Sequence, residues 1–222
     1  MTADVVVNSP RGAFLTWPRV AFGDDGSMMV VWFGGTANGK EPDIWGRKLA
    51  SDGAPAGPDL RINAFTPGRQ DYPVVEHSRA GGWVVAWGSR GSPGSDSSQE
   101  SVQARFLFED GRPANDQFQI NQRIESSQGT PDLAPLPDGR FLAVWRSLEG
   151  KWSFDVKGAL LGPRGVEGDE FCVNEYVQDT QQGARVSTGG GGDFVVVWRS
   201  KGSLGSDNES YSVQGRHFRS PP

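Results

Sequence analysis

The chain has 222 residues, of which 36% are hydrophobic, and it carries a formal net charge of -5. This length is sufficient for one all-β domain spanning residues 1–222. Acidic and basic residues are interspersed, so we expect no nucleic-acid partner. No apolar run reaches the roughly 20 residues that cross a bilayer, so we also expect no membrane span.

The chain begins with a short apolar strand, ADVVVN, that has no hairpin partner beside it. The same pattern returns as DLRIN, DQFQIN and DEFCVN. The asparagines that end these segments are spaced by 55, 58 and 53 residues and lie at Asn8, Asn63, Asn121 and Asn174. Four tryptophans that end apolar runs keep the same spacing, at Trp32, Trp87, Trp145 and Trp198. The chain is therefore predicted to hold four copies of one module, at about 15–70, 71–128, 129–181, and 182–222 together with 1–14.

Each module contains several short strands separated by turn residues. A first strand leads through a tight turn such as Asp25-Gly26 into an apolar run that ends in the repeated Trp. A longer polar loop precedes the third strand, which reads DIWGRKL, SVQARFL, DVKGALL or SVQGRHF. A second tight turn and a fourth strand complete the unit. No segment has a 3.6-residue apolar period, so we expect helix to be nearly absent.

Four antiparallel strands in a repeat of about 50 residues are typical of a β-propeller blade. The fourth module ends after its third strand, and the detached N-terminal strand could supply the missing one. An unpaired outer strand would otherwise leave open backbone hydrogen-bonding groups. The sequence therefore predicts an all-β fold, namely a four-bladed β-propeller of four-stranded antiparallel blades closed by the N-terminal strand.

The repeated motifs resemble the tandem β-propeller repeats of bacterial secreted or cell-surface proteins, similar to integrin-α propellers. The resemblance rests on Trp-x-Ser after the apolar run, on SVQGRHF and on FCVN. It implies an extracellular or cell-surface location and a non-catalytic binding or adhesion role, although the first eleven residues lack the layout of a signal peptide. The first module departs from the pattern with WFGG, and no D-x-D-x-D loop is present. We therefore assign no cofactor or metal; calcium is possible without a supporting motif.

The long loops and the connections between modules should share one face of the propeller, where binding residues are usually found. Two of these loops, SRGSPGSDSSQESVQ and SKGSLGSDNESYSVQ, are nearly equivalent and align Asp96 with Asp207. A carboxylate among Ser and Gly could bind a cation or a hydroxyl-rich ligand. The alternative is a solvated loop, which is the usual role of Gly/Ser-rich stretches.

Aromatic and arginine side chains are also predicted on this face. Trp17, Tyr72 and Trp152 offer flat surfaces suited to sugar rings or peptide groups, or else they pack against neighbouring loops. Arg146 and Arg199, which follow the repeated Trp, could bind an acidic ligand or form a salt bridge to the next blade. The repeated tryptophans themselves are predicted to be inter-blade core.

No catalytic set is evident in the sequence, because His77 and His217 fall in different strands and Cys172 is the only cysteine. The preferred hypothesis is a non-catalytic, lectin-like or protein-binding module with a glycan or protein ligand. One alternative is a structural ring or cap, as a homo-oligomer or within a larger assembly. Another is a glycoside hydrolase or other hydrolase whose carboxylate pair leaves no linear trace.

Overall fold

The computed structural model describes residues 4–9, 14–35, 41–96, 98–207 and 209–219. Within these ranges the regular secondary structure is entirely β-strand, as the sequence predicts. No helix in the described residues is long and apolar enough to cross a membrane.

The strands of the described residues form four antiparallel sheets that follow one another along the chain, which we call blades 1 to 4. Blade 1 consists of β1 (Leu15–Phe22), β2 (Met28–Gly34), β3 (Asp43–Leu49) and β4 (Leu60–Arg61). Blade 2 consists of β5 (Gln70–His77), β6 (Trp83–Arg90), β7 (Glu100–Leu107) and β8 (Phe118–Gln119). Blade 3 consists of β9 (Gln128–Pro135), β10 (Phe141–Glu149), β11 (Ser153–Gly162) and β12 (Gly165–Cys172). Blade 4 has three strands in the described residues, namely β13 (Gln181–Thr188), β14 (Phe194–Lys201) and β15 (Tyr211–Phe218).

The tight turns form at the Asp-Gly pairs that the sequence indicates. Gly26 has a φ of +78°, a conformation that costs glycine little because it lacks a Cβ. The carboxylate of Asp25 accepts a hydrogen bond of 2.8 Å from the backbone nitrogen of Ser27. These local interactions reverse the chain without help from the rest of the molecule.

Large side chains between successive blades form the core. Trp87 and Trp145 are fully buried, and Trp32 and Trp198 are nearly so, which confirms their prediction as core residues. One apolar cluster joins blades 1 and 2, a second joins blades 2 and 3, and a third joins blades 3 and 4. Each blade therefore packs against the next one in the chain.

The repeated asparagine follows the fourth strand of blades 1 to 3, which we call the closing strand, and fixes it to the third strand. In blade 2 the Oδ1 atom of Asn121 accepts a hydrogen bond of 2.8 Å from the backbone nitrogen of Val102. Its Nδ2 atom donates to the carboxylate of Asp96 at 2.8 Å. Asn63 and Asn174 make the corresponding pair of bonds in blades 1 and 3. The asparagine thus satisfies a backbone group and a buried carboxylate at once.

The prediction of a ring closed by the N-terminal strand is wrong. Residues 4–9 form no strand with β15, and blade 4 has no fourth strand in the described part of the chain. Blade 1 holds the N-terminal segment instead, because Arg47 donates to the carbonyl oxygen of Val7 at 2.8 Å. The backbone nitrogen of Ser9 also donates to the carboxylate of Asp59, at 3.0 Å. The rest of the predicted closing segment, residues 1–3 and 10–13, lies outside the described residues.

Blades 1 and 4 consequently leave apolar side chains exposed on either side of an opening. Phe22 of blade 1 and Val195 and Val197 of blade 4 are exposed. The apolar side chains that lie between consecutive blades are buried instead. No hydrophobic cluster of the described residues joins these two blades. The repeat period sets the number of sheets, but the angle between sheets depends on side-chain packing, and here that packing leaves the ring open.

Candidate active site

The first strands of the four blades lie side by side, with β1 against β5, β5 against β9, and β9 against β13. A cavity of about 270 Å³ opens at one end of these strands. Its lining comes from all four blades and includes residues near the start of each first strand. The lining residues are Trp17, Arg19, Tyr72, Pro73, Val74, Thr130, Pro131, Arg146, Gln182, Gly183, Arg185 and Arg199.

The rim of this cavity is built from a strained position that repeats in every blade. Trp17, Tyr72 and Thr130 have φ values of +54°, +50° and +49°, and Gly183 occupies the same place in blade 4 with +68°. Bulges interrupt the pairing of the first strands here. Left-handed backbone at non-glycine residues costs on the order of 1–3 kcal/mol and tends to be retained at functional sites.

Two of the predicted site residues, Trp17 and Tyr72, meet at this rim. Their ring centroids are 5.0 Å apart in an edge-to-face arrangement. Arg19 lies over the Trp17 ring and Arg69 over the Tyr72 ring, with guanidinium carbons 5.7 and 5.8 Å from the centroids. Trp17 is still 45% exposed, so its packing against Tyr72 leaves part of the indole open to solvent.

Arg146 and Arg199 line the same cavity, as the sequence predicts for the loop-rich face. Arg146 of blade 3 lies 3.7 Å from the carboxylate of Glu100 in blade 2, so the predicted inter-blade salt bridge is confirmed for this residue. Its guanidinium also stacks 5.0 Å from the Phe154 ring centroid. Arg199 lies over the Tyr211 ring at 4.4 Å. Together with Arg19 and Arg185, these residues make the cavity rich in positive charge.

Two carboxyl groups lie on the same strands as the lining residues, although neither is itself a lining residue. Glu76 follows the lining residue Val74 by two positions in β5, so both side chains are on one face of the strand. Asp132 follows the lining residue Pro131 in β9 and accepts a hydrogen bond of 2.9 Å from the backbone nitrogen of Val186. The two carboxyl groups are close enough for the charge of Asp132 to act on Glu76.

The pKa values of both groups are raised, and positively charged neighbours oppose the rise at Asp132. Burial raises the pKa of Glu76 from 4.5 to about 7, and the negative charge of Asp132 adds to this rise. Burial also raises the pKa of Asp132, but the hydrogen bond from Val186 and the charges of Arg185 and Arg19 oppose that effect. Such a pair can present a protonated acid beside an ionised carboxylate near neutral pH.

A third carboxyl group, Asp71, is buried at the start of β5. It forms an ion pair with Arg69. Burial raises the pKa of Asp71 to about 6, against the opposing charge of Arg69 and with a further upward contribution from Glu100. Asp71 therefore adds a proton-binding group at the start of β5, whereas Glu76 lies near the end of that strand.

The other predicted site residues lie away from the cavity. Trp152 is 85% exposed on a turn, and it is not among the lining residues. Asp96 is buried and its carboxylate is bound by Asn121 and Ser98, which is a structural role. Asp207 is exposed beside the open edge of blade 4. No cluster of three or more metal-binding side chains is found in the described residues.

Sequence reasoning missed Glu76, Asp132 and Asp71. For Asp132, the alignment of the modules offered a signal. When the modules are aligned on the residues at positions 18, 73, 131 and 184, Asp132 falls at the place occupied by Arg19 and Arg185. An acid aligned with two arginines indicates a position that varies in charge while the surrounding strand is maintained. The first strands of neighbouring blades lie side by side, so Asp132 comes close to residues of other blades. The linear spacing of the residues does not show this proximity.

Comparison with known proteins gives a structural likeness without a sequence relative. No family model matches the chain, and no curated protein matches its sequence. The fold is similar to that of an α-L-arabinofuranosidase from Lactobacillus brevis, with a TM-score of 0.58, 9% identity, and coverage of 94% of this chain and 75% of that one. An endo-arabinase from Bacteroides thetaiotaomicron aligns with a TM-score of 0.57 and 12% identity, over 90% of this chain and 74% of that one.

A third similar structure is the GH93 α-L-arabinofuranosidase of Fusarium graminearum in complex with arabinobiose, with a TM-score of 0.62 and 11% identity. This alignment covers 93% of this chain and 58% of that one. At these identities the likeness establishes a β-propeller-like all-β fold, and the neighbours are five-bladed propellers, which also contradicts the closed four-bladed ring. All three similar structures are enzymes, two α-L-arabinofuranosidases and an endo-arabinase, which contradicts the preference for a non-catalytic binding module.

Proposed function

We propose that the chain is a glycoside hydrolase whose cavity binds an arabinose-containing glycan. The observation that carries the proposal is the pair formed by Glu76 and Asp132, one carboxyl group with its pKa near 7 and one held by cationic neighbours. The similarity in fold to arabinofuranosidases and arabinanases supports the substrate class.

In this proposal Glu76 is the general acid. Hydrolysis of a glycosidic bond requires a proton for the leaving oxygen and a carboxylate that attacks the sugar or activates water. Glu76 keeps its proton up to about pH 7, so it can donate that proton to the departing oxygen as the bond to the anomeric carbon breaks. If the reaction retains the anomeric configuration, the resulting Glu76 carboxylate then accepts a proton from the water that hydrolyses the glycosyl–enzyme intermediate.

Asp132 is the ionised partner. The hydrogen bond from the backbone nitrogen of Val186 orients its carboxylate. The charges of Arg19 and Arg185 favour its ionised form. Asp132 then acts either as a base toward water, which inverts the anomeric configuration, or as a nucleophile, which retains it. The anomer of the first product, measured by NMR, distinguishes these two roles.

The rest of the cavity suits recognition of a sugar. The exposed part of the Trp17 indole offers an apolar surface on which a sugar ring can stack. Arg146 and Arg199 provide several N–H donors for ring hydroxyl groups, and Gln182 provides both a donor and an acceptor. A furanose or pyranose ring placed on Trp17 would therefore find hydrogen-bonding groups around its edge.

The test uses 4-nitrophenyl α-L-arabinofuranoside and linear arabino-oligosaccharides as substrates. Glu76→Gln and Asp132→Asn should each lower kcat by about 100-fold or more, because acid–base groups typically contribute that much. Asp138→Asn is the matched control, since Asp138 lies in an exposed tight turn and pairs only with Arg140 there. Full activity in both carboxyl variants, or a folded wild-type chain that cleaves none of these substrates, would refute the proposal.

A further inference from the structure

Blades 1 to 3 hold their closing strands by one repeated set of contacts. An equivalent residue near the start of the third strand, Ile44, Val102 or Val156, is fully buried in each blade. Its nitrogen donates to the closing asparagine at 2.8, 2.8 and 2.7 Å, respectively. Its carbonyl oxygen accepts from the residue before that asparagine, at 2.8 Å in each case. The third strand therefore presents a defined acceptor site for a closing strand.

Blade 4 presents the same site, and no strand of the described residues pairs with it. Val213 occupies the equivalent position of β15 and is 83% exposed. Asp207 aligns with Asp96, which binds Asn121 in blade 2, but its carboxylate has no partner in the described residues. Two open grooves, of about 140 and 380 Å³, run along this edge and include Val213, Gly215 and Asp207 in their lining.

Gly215 leaves room for a bulky side chain on the missing strand. The equivalent Gly158 of blade 3 lies against the ring of Phe171, and a Cβ atom there would come within 2.8 Å of that ring. At Gly215 a Cβ atom would instead meet, among the described residues, Val197 and Val196 of its own blade. The groove thus has space for an aromatic or aliphatic residue three positions before the asparagine, as in F-x-V-N.

On the other side of the opening, residues 4–9 lie on blade 1 where a closing strand would lie, and they belong to no sheet of the described residues. Arg47 donates to the carbonyl oxygen of Val7 at 2.8 Å, just as Arg105 donates to Ile62 at 2.9 Å between blades 2 and 1. The N-terminal segment therefore sits on blade 1 in the position of a preceding closing strand. Asn8 donates only to the carbonyl of Ser9 in the described residues, whereas the asparagines of blades 1 to 3 bind a carboxylate.

We propose that the opening between blades 4 and 1 is a docking site for one further module of the same repeat. Its leading strand, of the type hydrophobic-x-Val/Ile-Asn, pairs with β15, and the asparagine binds Asp207 and the backbone nitrogen of Val213. Its third strand pairs with residues 4–8, which supply the fourth strand of the added blade. Its faces cover the exposed Val195 of blade 4 and Phe22 of blade 1.

The two half-sites favour this occupant over a second copy of the chain. In a second copy the closing strands of blades 1 to 3 are already paired, and its residues 4–9 are held by its own blade 1. A fifth module also agrees with the five-bladed form of the structural neighbours. This chain covers 75% of the length of the Lactobacillus brevis arabinofuranosidase. The inference concerns association alone and does not depend on the proposed hydrolase activity.

The experiment uses a fluorescein-labelled peptide with the sequence NDQFQINQRI (residues 115–124), which contains the closing strand of blade 2. Fluorescence anisotropy with the full chain should show saturable binding at a 1:1 ratio. Replacing the peptide's asparagine at the position of Asn121 by alanine should weaken binding about tenfold or more. The protein variant Asp207→Ala should do the same, while Glu209→Ala, a change at an exposed acid two residues away, should not.

Hydrogen exchange locates the bound peptide. The backbone amide of Val213 should exchange rapidly in the free chain and become protected when the peptide is bound. Absence of binding, or equal binding of the two peptides, would overturn the proposal. Protection of Val213 in the free chain that rises with protein concentration, together with a doubled molar mass by light scattering, would assign the site to a second copy and would also overturn it.

Discussion

Glu76 should destabilise the protein at neutral and alkaline pH, and its replacement by glutamine should reveal this cost. In the folded chain burial and the charge of Asp132 raise the pKa of Glu76 from 4.5 to about 7. The folded state therefore holds this proton more tightly than the unfolded state does between these two pH values. The free energy of unfolding must fall as pH rises through this interval, and the full penalty is present above about pH 7.

The size of the effect follows from the difference between the two pKa values. That difference corresponds to an upper limit of about 3 kcal/mol. Glu76 is only partly buried, so solvent screening reduces the expected effect to about 1–2 kcal/mol. Glu76→Gln should therefore be more stable than the wild type by that amount at pH 8. Most of this difference should be lost at pH 4.5, where Glu76 is neutral in the folded state and half protonated in the unfolded chain.

Urea denaturation of the wild type and of Glu76→Gln at several pH values between 4.5 and 8.5 measures the difference. Taking the difference between the two proteins removes the pH dependence of Asp71 and of other groups that the substitution leaves unchanged. Asp132→Asn in the wild-type background should lower the pKa of Glu76 and shift the transition toward lower pH. An advantage of Glu76→Gln that is the same at all pH values would refute the reasoning.

Three further predictions concern the core, the closing strands and the cysteine. Trp145→Ala should lower the free energy of unfolding by about 3–5 kcal/mol in a urea titration, because the side chain is fully buried. Trp152→Ala should change it by less than about 0.5 kcal/mol, because that side chain is 85% exposed. Asn121→Ala should cost about 2–4 kcal/mol by thermal unfolding, since it leaves the buried Asp96 without its amide donor; a loss no larger than that of Trp152→Ala would contradict this role. Burial raises the pKa of the Cys172 thiol, so maleimide at pH 7.5 should react more slowly with the native chain than with the urea-unfolded chain, and equal rates would show that the thiol is not shielded.

The repeated architecture could be predicted from the sequence because its determinants are local. Alternating apolar positions define strands, and Asp-Gly pairs such as Asp25-Gly26 reverse the chain through their own backbone and side-chain bonds. The burial of Trp87 and Trp145 follows from their place at the end of an apolar run that recurs at a fixed period. Repetition strengthens each of these signals, since one interpretation must fit four modules.

Part of the candidate site was also accessible from the sequence. Trp17, Tyr72, Arg146 and Arg199 were expected on one face, and all four line the same cavity. Asp96 was misplaced because a carboxylate in a Ser/Gly-rich loop has the same local sequence whether it faces solvent or turns inward. It turns inward because Asn121, 25 residues away, needs a carboxylate partner.

Only the tertiary structure decided the closure of the ring and the pairing of the carboxyl groups. Closure depends on the angle at which each blade packs against the next, and this angle arises from side-chain contacts between sheets. The effect of Asp132 on Glu76 likewise exists only because β5 and β9 lie side by side and exclude part of the surrounding water. A pattern along the chain records which residues each blade contains, whereas the distances and the dielectric environment between blades arise when the sheets pack.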